Sequence, residues 1–185
     1  MKFRAFIAAD IVPGDALVTV LHDLARSRAD LKVVKPELLH VTLKFLGDTE
    51  ENLADELLAR VENAAKNIEP FAIRLRGMGA FPSMSNIRVV WVGIEDGRLL
   101  GEIASRLDSS LVDLGFEKDR KGFVPHLTIA RARSGRNMAN VQEILRQNAA
   151  SDYGEYSIDR ILLKKSVLSP QGPSYSVVRE HLLRG

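Results

Sequence analysis

His40-Val41-Thr42-Leu43 and His126-Leu127-Thr128-Ile129 are two similar tetrapeptides that lie 86 residues apart in a chain of 185 residues. Both have the pattern His-x-Thr-x, with an aliphatic residue at each x position. In a β-strand, successive side chains alternate between the two faces, so the histidine and threonine share one face and the aliphatic residues share the other. The pattern therefore predicts two strands, each with a buried aliphatic face and a polar face.

The sequences that flank the two tetrapeptides match in the same order. Upstream of each lies an apolar strand-like run and then leucines at helical spacing, and downstream lie another helix and another strand. The first half predicts a strand over 3–9, a helix over 16–24, the His40 strand, a helix over 53–61 and a strand over 71–76. The second half predicts a strand over 87–94, a helix over 99–114 that ends at Gly115, the His126 strand, a helix near 141–145, and strands over 156–168 and 175–183.

This repetition indicates an internal duplication, with sequence halves of about 1–82 and 86–185. Residues Gly77 to Pro82 are rich in glycine and predict the joint between the halves, with a loop over 83–86. We expect a single α+β domain made of two lobes related by a pseudo-two-fold axis. Each lobe has an antiparallel sheet with helices packed outside, and a cleft lies between the lobes.

Composition restricts the chemistry that the chain can use. No cysteine is present, which excludes disulfides, thiolate nucleophiles, iron–sulfur clusters and cysteine-ligated zinc. The four histidines form no His-Glu-x-x-His pattern, so we expect neither a metal nor another cofactor. The net charge is only +2, so any contact with nucleic acid needs a local basic patch, for which 118–121 and Arg131, Arg133 and Arg136 are candidates.

The distribution of apolar residues predicts neither a membrane span nor a secretory signal. No apolar run approaches the roughly 20 residues that span a bilayer. At the N-terminus, Asp10 and Pro13 interrupt the first apolar run, which is unlike a secretory signal. The sequence therefore predicts a cytoplasmic protein without membrane association, and we expect a monomer.

Two imidazoles that face one cleft are suited to proton transfer. The unperturbed pKa of histidine is about 6.5, so near neutral pH one imidazole can accept a proton while another donates one. Across a P–O bond, such a pair can activate water on one side and protonate the leaving oxygen on the other. Thr42 and Thr128 can donate hydrogen bonds to phosphate oxygens. His22 and His181 have no duplicated partner, and we expect surface or packing positions for them.

Two basic residues near the motifs are candidates for substrate binding. Lys44 lies four residues after His40, so strict alternation places it on the face of His40 and Thr42. Arg131 lies five residues after His126, so strict alternation places it on the opposite face. It reaches the cleft only if the strand is bulged or if the side chain passes around the strand end.

The chain resembles the two-histidine (2H) phosphoesterase superfamily and, within it, the RNA 2′,3′-cyclic phosphodiesterase family, formerly called the 2′-5′ RNA ligase family. Segments with this resemblance extend from the first predicted strand to the last: 4–8 (RAFIA), 39–47 (LHVTLKFLG), 79–82 (GAFP), 90–93 (VWVG), 125–131 (PHLTIAR) and 168–175 (LSPQGPSY). The chain departs from the family at 31–36 (LKVVKP), where members often carry an aromatic residue. This departure argues against a base-stacking role for that strand.

The resemblance implies hydrolysis of terminal RNA 2′,3′-cyclic phosphates to 2′-phosphates. It assigns His40 as the proton donor to the 3′ oxygen, His126 as the acceptor that activates water, and Arg131 as a phosphate contact. The near symmetry of the halves leaves the order of the two histidines open from the residues alone. Partners would be RNA ends that carry the cyclic phosphate, tRNA fragments among them.

Two alternatives use the same cleft. One is reversible 2′-5′ ligation of RNA ends, in which a ribose hydroxyl replaces water. The other is a non-catalytic binder of RNA ends. Intact histidines and threonines in both halves argue against the binder, because binding alone needs no matched proton donor and acceptor.

Overall fold

A computed structural model describes residues 1–170 and 172–185; Gln171, which belongs to the last segment of family resemblance, lies outside the described residues. The described strands are β1 (Lys2–Asp10), β2 (Leu31–Val33), β3 (His40–Glu50), β4 (Phe71–Ser83), β5 (Asn86–Glu95), β6 (His126–Ala132), β7 (Asp152–Ile158), β8 (Arg160–Ser169) and β9 (Gly172–Leu182). The described helices are α1 (Asp15–Arg26), α2 (Ala54–Ala64), α3 (Arg98–Ser110) and α4 (Met138–Gln147). Short 3₁₀ turns occur at Pro36–Leu38, Glu51–Leu53 and Val112–Leu114.

The strands form two antiparallel sheets, which confirms the predicted α+β fold. Sheet A has the order β3-β1-β8-β9, and sheet B has the order β2-β6-β5-β4-β7. Helices α2 and α3 pack on sheet A, whereas α1 and α4 pack on sheet B. The strand that begins at His40 lies in sheet A, and the strand that begins at His126 lies in sheet B.

Each sheet takes strands from both halves of the sequence. In sheet A, β1 and β3 of the first half pair with β8 and β9 of the second. In sheet B, β5 and β6 of the second half are joined by β4 of the first. The strand orders β3-β1-β8 and β6-β5-β4 correspond, with β1 equivalent to β5, β3 to β6 and β8 to β4. The lobes are therefore not the sequence halves themselves, since each lobe is completed by a strand from the other half.

The aliphatic faces predicted from the motifs form part of the core. Val41, Leu43, Leu127 and Ile129 are each at most 3% exposed. Leucines of the predicted helical faces, Leu17, Leu21 and Leu24 in α1 among them, are also buried. Full burial of one such side chain contributes about 1.5–3 kcal/mol, so the motif strands are held firmly by the face opposite the histidines.

Two predicted boundaries were wrong. Residues 77–82 do not join separate lobes, because β4 continues through them to Ser83 and turns into β5 as a hairpin. Gly77 has φ +69° at a shift of strand register, so it permits a β-bulge. A Cβ on Gly79 would overlap the Trp91 ring, so this glycine allows the ring to pack closely against the backbone. The single strand predicted over 156–168 is two strands, β7 in sheet B and β8 in sheet A.

Among the helices of the described residues, none has the length and apolar character to cross a membrane.

Candidate active site

A β-bulge occurs at the same place in both histidine strands. In the pairing of β1 with β3, Ala8 lies opposite Thr42 and Ile7 opposite Lys44, so Leu43 is an extra residue. In the pairing of β5 with β6, Trp91 lies opposite Thr128 and Val90 opposite Ala130, so Ile129 is the extra residue. A bulge of this kind reverses the alternation of side chains beyond it.

The first bulge overturns the prediction that Lys44 lies on the face of His40 and Thr42. Lys44 instead points to the helix side of sheet A and is only 3% exposed. Its ammonium donates hydrogen bonds to Asp108 Oδ1 of α3 at 2.6 Å and to the Glu117 carbonyl at 2.7 Å. Partial burial opposes ionisation of Asp108, but hydrogen bonds from Lys44 and from the Asp119 amide outweigh it and lower the carboxyl pKa. Lys44 therefore links β3 to α3 and to the segment before His126.

The second bulge brings Arg131 to the cleft. Arg131 is exposed and lines the same cavity as His40 and Thr42. The prediction from strict alternation, which placed Arg131 on the opposite face, was wrong. The alternative prediction, a bulge in the His126 strand, is correct. Phe45 holds the equivalent place in β3, is 52% exposed, and lines this cavity too. Sequence reasoning missed Phe45, although its spacing from His40 equals that of Arg131 from His126.

Both histidines are held by a backbone carbonyl two residues earlier in the chain. His40 Nδ1 lies 2.8 Å from the Leu38 carbonyl oxygen, and His126 Nδ1 lies 2.7 Å from the Val124 carbonyl oxygen. A carbonyl only accepts hydrogen bonds, so each Nδ1 carries the proton and donates it. Each Nε2 is therefore the nitrogen that can exchange a proton with a substrate. The residue types alone give no signal for these backbone contacts.

Aromatic side chains pack against both imidazoles. The His40 ring centroid lies 5.0 Å from that of Phe6 and 5.1 Å from that of Tyr175. The His126 centroid lies 5.1 Å from that of Phe81, edge to face, and Phe81 in turn packs on Trp91 at 5.4 Å. These contacts limit the orientations that the imidazoles can adopt. All four aromatic residues lie in segments that carry the family resemblance, but their contacts depend on tertiary pairing.

Burial lowers the pKa of His40 below its ordinary value of 6.5. The hydrogen bond to the Leu38 carbonyl opposes this change, while the positive charges of Lys164 and Arg131 add to it. Asp10 favours the charged imidazole but also forms an ion pair with Lys164, whose Nζ lies 2.5 Å from Asp10 Oδ1. His40 in the free protein is thus biased toward its neutral form.

A cavity of about 730 Å³ is bounded by strands of both sheets. It is lined by His40, Thr42, Phe45 and Tyr175 from sheet A and by Arg131 and Lys32 from sheet B, among others. His126 and Thr128 are not part of this lining, but they share the face of β6 that carries Arg131, and β6 lies against β3. The structure thus gathers His40, Thr42 and Arg131 in one cavity and places His126 and Thr128 on the adjoining surface.

Of the remaining basic candidates, only Arg133 lines the cavity in the part of the chain that the structure describes. Among residues 118–121, Lys118, Arg120 and Lys121 are outside the cavity lining, as is Arg136, whereas Arg133 lines it. His22 is exposed and His181 is half-buried on β9, as expected for surface or packing positions. Within the described part of the chain, no three His, Cys, Asp or Glu side chains are grouped as metal ligands would be.

Comparison with known proteins identifies the family. Residues 13–166 match the family model of the 2′-5′ RNA ligase superfamily. The chain belongs to this superfamily. An RNA 2′,3′-cyclic phosphodiesterase of Methanocaldococcus jannaschii is 39% identical over 182 residues, which cover 96% of this chain and 99% of that protein. One of Methanothermobacter thermautotrophicus is 36% identical over 178 residues, which cover 95% and 96% of the two chains.

Two solved structures have a similar fold. A protein of Thermus thermophilus superposes with a TM-score of 0.81 at 30% identity, over 98% of both chains. E. coli LigT in complex with 3′-AMP superposes with a TM-score of 0.77 at 22% identity, over the full length of both chains. Both likenesses concern the fold alone.

Proposed function

We propose that this member of the 2′-5′ RNA ligase superfamily hydrolyses terminal RNA 2′,3′-cyclic phosphates to 2′-phosphates, with His40 and His126 as its acid/base pair. The observation that carries the proposal is the matched locking of both imidazoles, each with Nδ1–H on a carbonyl two residues earlier. This arrangement leaves two Nε2 atoms for proton transfer, which is what a two-sided attack on phosphorus requires. The relatives named as RNA 2′,3′-cyclic phosphodiesterases support the choice of substrate.

The proposed reaction is a single displacement at phosphorus. His126 Nε2 takes a proton from water as the water oxygen attacks the phosphorus atom. The bond from phosphorus to the 3′ oxygen breaks, and His40 Nε2–H gives its proton to that oxygen. The products are a 2′-phosphate and a free 3′-hydroxyl, and the enzyme ends with the proton on His126 and none on His40 Nε2. Exchange with solvent resets the pair.

Three further side chains would stabilise the charge that develops on the phosphate. The hydroxyls of Thr42 and Thr128 share a strand face with His40 and His126 and can donate to the non-bridging oxygens. The Arg131 guanidinium, brought to the same face by the bulge at Ile129, supplies a positive charge and a planar set of donors. Lys44 has no place in this set, because its ammonium is buried against α3.

The lowered pKa of His40 bears on its role as the acid. An acid must carry its proton when the substrate is bound, and burial favours the neutral form in the free protein. A cyclic phosphate carries one negative charge, which stabilises imidazolium nearby and raises the pKa of His40 in the complex. Substrate binding and protonation of His40 are therefore coupled in this proposal.

The experiment that tests the proposal is product identification. An RNA that ends in a 2′,3′-cyclic phosphate is incubated with the protein and excess EDTA, and the product is identified by ³¹P NMR. A 2′-phosphate supports the proposal; a 3′-phosphate, or loss of activity that zinc or manganese restores, contradicts it. Addition of a second RNA with a free 5′-hydroxyl tests ligation, because a 2′-5′ joined product would reveal that alternative.

The setting of the enzyme follows from the sequence and stays a prediction. We propose a cytoplasmic monomer that acts on free RNA ends, with tRNA fragments as one source of such ends.

A further inference from the structure

Two segments of the chain cross from one sheet to the other just before the motif histidines. Helix α1 lies between β1 and β3 of sheet A in the chain but packs on sheet B, so residues 27–39 return to sheet A at His40. Helix α3 lies between β5 and β6 of sheet B but packs on sheet A, so residues 111–125 return to sheet B at His126. Each crossing segment also supplies the carbonyl that accepts a hydrogen bond from Nδ1 of the histidine that follows.

The first crossing segment is held by backbone hydrogen bonds to sheet B. Within it, Leu31–Val33 forms β2, which pairs with β6. The next residue extends this pairing, because the Val34 amide donates to the Ile129 carbonyl at 2.8 Å. The segment is thus fixed at the bulged residue of β6.

The second crossing segment has no such strand. Residues 116–125, all of which the structure describes, contain neither helix nor strand, and most of them are exposed. The tie to sheet A is the ammonium of Lys44, which donates to the Glu117 carbonyl at 2.7 Å. Lys44 directly follows the bulged residue of β3, so this contact corresponds to the one that Val34 makes at the bulge of β6.

Asp108 of α3 completes the tie. Its Oδ1 accepts hydrogen bonds from Lys44 Nζ at 2.6 Å and from the Asp119 amide at 2.9 Å. Lys44 is buried, so its charge has lost nearly all of its water and depends on these partners. The anchored residues, Glu117 and Asp119, lie seven and five positions before Val124, whose carbonyl receives the histidine proton.

The end of the segment returns to the start of α3. A Cβ added to Gly97 would lie 2.8 Å from Pro125 Cβ, so Pro125 rests against the N-terminal end of the helix. Helix α3 therefore supports the segment that carries the Val124 carbonyl. Lys44 joins this support to β3.

We infer that Lys44 is a positioning residue for the proposed reaction, because it holds the segment before His126 so that the Val124 carbonyl keeps the imidazole in its reactive orientation. The inference rests on the proposed function. Lys44 contacts no reacting atom, since its ammonium is bonded to Asp108 and Glu117 on the helix side of sheet A. It lies on the same strand as the acid, so one side chain relates the strand of the acid to the segment that orients the base.

The first experiment observes His126 directly by NMR. The Nδ1–H signals of the two motif histidines are assigned by their loss in His40→Ala and His126→Ala. In Lys44→Met, the His126 N–H should exchange with water about tenfold faster, because local opening of the segment becomes more frequent. The His40 N–H should exchange as in wild type. An unchanged His126 signal would overturn the inference.

Arg60→Met is the matched control for this experiment. Arg60 is also a partly buried cation that donates to a backbone carbonyl, that of Ser110 at the end of α3. It makes no hydrogen bond to residues 116–125. The His126 N–H should therefore exchange in Arg60→Met as in wild type. Equal acceleration in Arg60→Met and Lys44→Met would assign the effect to general loosening of α3 and refute a specific role of Lys44.

Kinetics separates positioning from stability. Under conditions in which the variant is folded, Lys44→Met should lower kcat by roughly 10–10²-fold, the scale for a catalytic group displaced by about 1 Å, with KM nearly unchanged. Lys44→Met/Asp108→Leu leaves no buried charge unpaired, and it is measured in place of Lys44→Met if that variant does not fold. The double variant still lacks both ties, so its kcat should be no higher than that of Lys44→Met. Recovery of kcat together with stability would make the role of Lys44 purely structural and refute the inference.

A double-mutant cycle tests whether Lys44 acts through His126. In the His126→Ala background, Lys44→Met should lower kcat little further, because the imidazole that it positions is already absent. The same loss in the wild-type and His126→Ala backgrounds would show that Lys44 acts by another route and overturn the inference.

Failure of the proposed function is distinguishable from failure of this inference. If the wild-type protein does not hydrolyse RNA that ends in a 2′,3′-cyclic phosphate, the proposed function fails. The NMR comparison then decides the role of Lys44 by itself, since it needs no substrate. Faster exchange of the His126 N–H in Lys44→Met than in Arg60→Met supports the positioning role, and equal exchange contradicts it.

Discussion

Phe45 in β3 and Arg131 in β6 occupy equivalent positions, each five residues after a motif histidine and each turned to the cleft by one bulged residue. The two equivalent strands thus share the bulge but not the side chain that follows it. At these two equivalent positions the side chain is aromatic in sheet A and cationic in sheet B. This difference breaks the symmetry of the two strands, and we expect it to give a bound phosphate a preferred side.

Replacement of Arg131 tests the cationic position. Arg131→Met should lower kcat/KM on RNA with a cyclic phosphate by roughly 10²–10³-fold, the scale for loss of a donor that stabilises the transition state. Arg131→Lys should recover part of this loss, because it keeps the charge but not the planar pair of donors. Arg136→Met is the matched control outside the cavity lining. Equal effects of Arg131→Met and Arg136→Met would exclude a phosphate contact by Arg131.

Alanine variants test the acid/base pair. His40→Ala and His126→Ala should each lower kcat by about 10²–10⁴-fold, the usual contribution of a general acid or base. Thr42→Ala and Thr128→Ala should each lower kcat by roughly 10–10³-fold, because each removes a single hydrogen bond to the phosphate. His22→Ala, at an exposed position on α1, should behave as wild type. Near-full activity of His126→Ala would contradict the duplicated site.

A sulfur-bridged substrate assigns the two roles. If the 3′ oxygen is replaced by sulfur, the leaving thiolate needs no proton, because a thiol is far more acidic than a ribose hydroxyl. The defect of His40→Ala should then shrink strongly, whereas that of His126→Ala should persist. The ratio of kcat values for the sulfur and oxygen substrates measures this in each variant. Rescue of His126→Ala instead would exchange the roles.

The pH profile reports the lowered pKa of His40. kcat/KM follows the free enzyme, so loss of the His40 proton should bring its alkaline limb below the ordinary value of 6.5. kcat follows the complex, in which the bound anion raises that pKa, so its alkaline limb should lie at higher pH. Lys164→Met removes a nearby positive charge and should move the alkaline limb of kcat/KM upward. A rate that climbs with hydroxide throughout would contradict a histidine acid.

Lys44 is expected to act on stability. Lys44→Met leaves Asp108 and the Glu117 carbonyl without their donor and should lower the free energy of unfolding by about 2–3 kcal/mol. The double variant Lys44→Met/Asp108→Leu should lower the free energy of unfolding by less, since it removes both charges of the pair. Urea denaturation of the two variants beside wild type measures the difference. A double variant less stable than Lys44→Met would show that the pair is not the cause.

Local pattern was enough to predict much of this protein. The aliphatic faces of the His40 and His126 strands, the leucine faces of α1 and α3, and the pairing of each histidine with a threonine all follow from side-chain periodicity within one element. Such periodicity depends only on the local backbone geometry of the helix or strand itself. The α+β class follows from the order of these elements along the chain.

Tertiary structure decided where Lys44 and Arg131 point, and which strands complete each sheet. Leu43 and Ile129 are bulged only relative to β1 and β5, so the extra residue is a property of the pairing of two strands and not of either strand alone. One such residue reverses the side chains that directly follow it, which moves Lys44 into the core and Arg131 into the cleft. The exchange of β4 and β8 between the sheets likewise depends on contacts between residues far apart in the chain. Periodicity fixes which face of a strand is apolar up to the first bulge, and only the partner strand determines where that bulge falls.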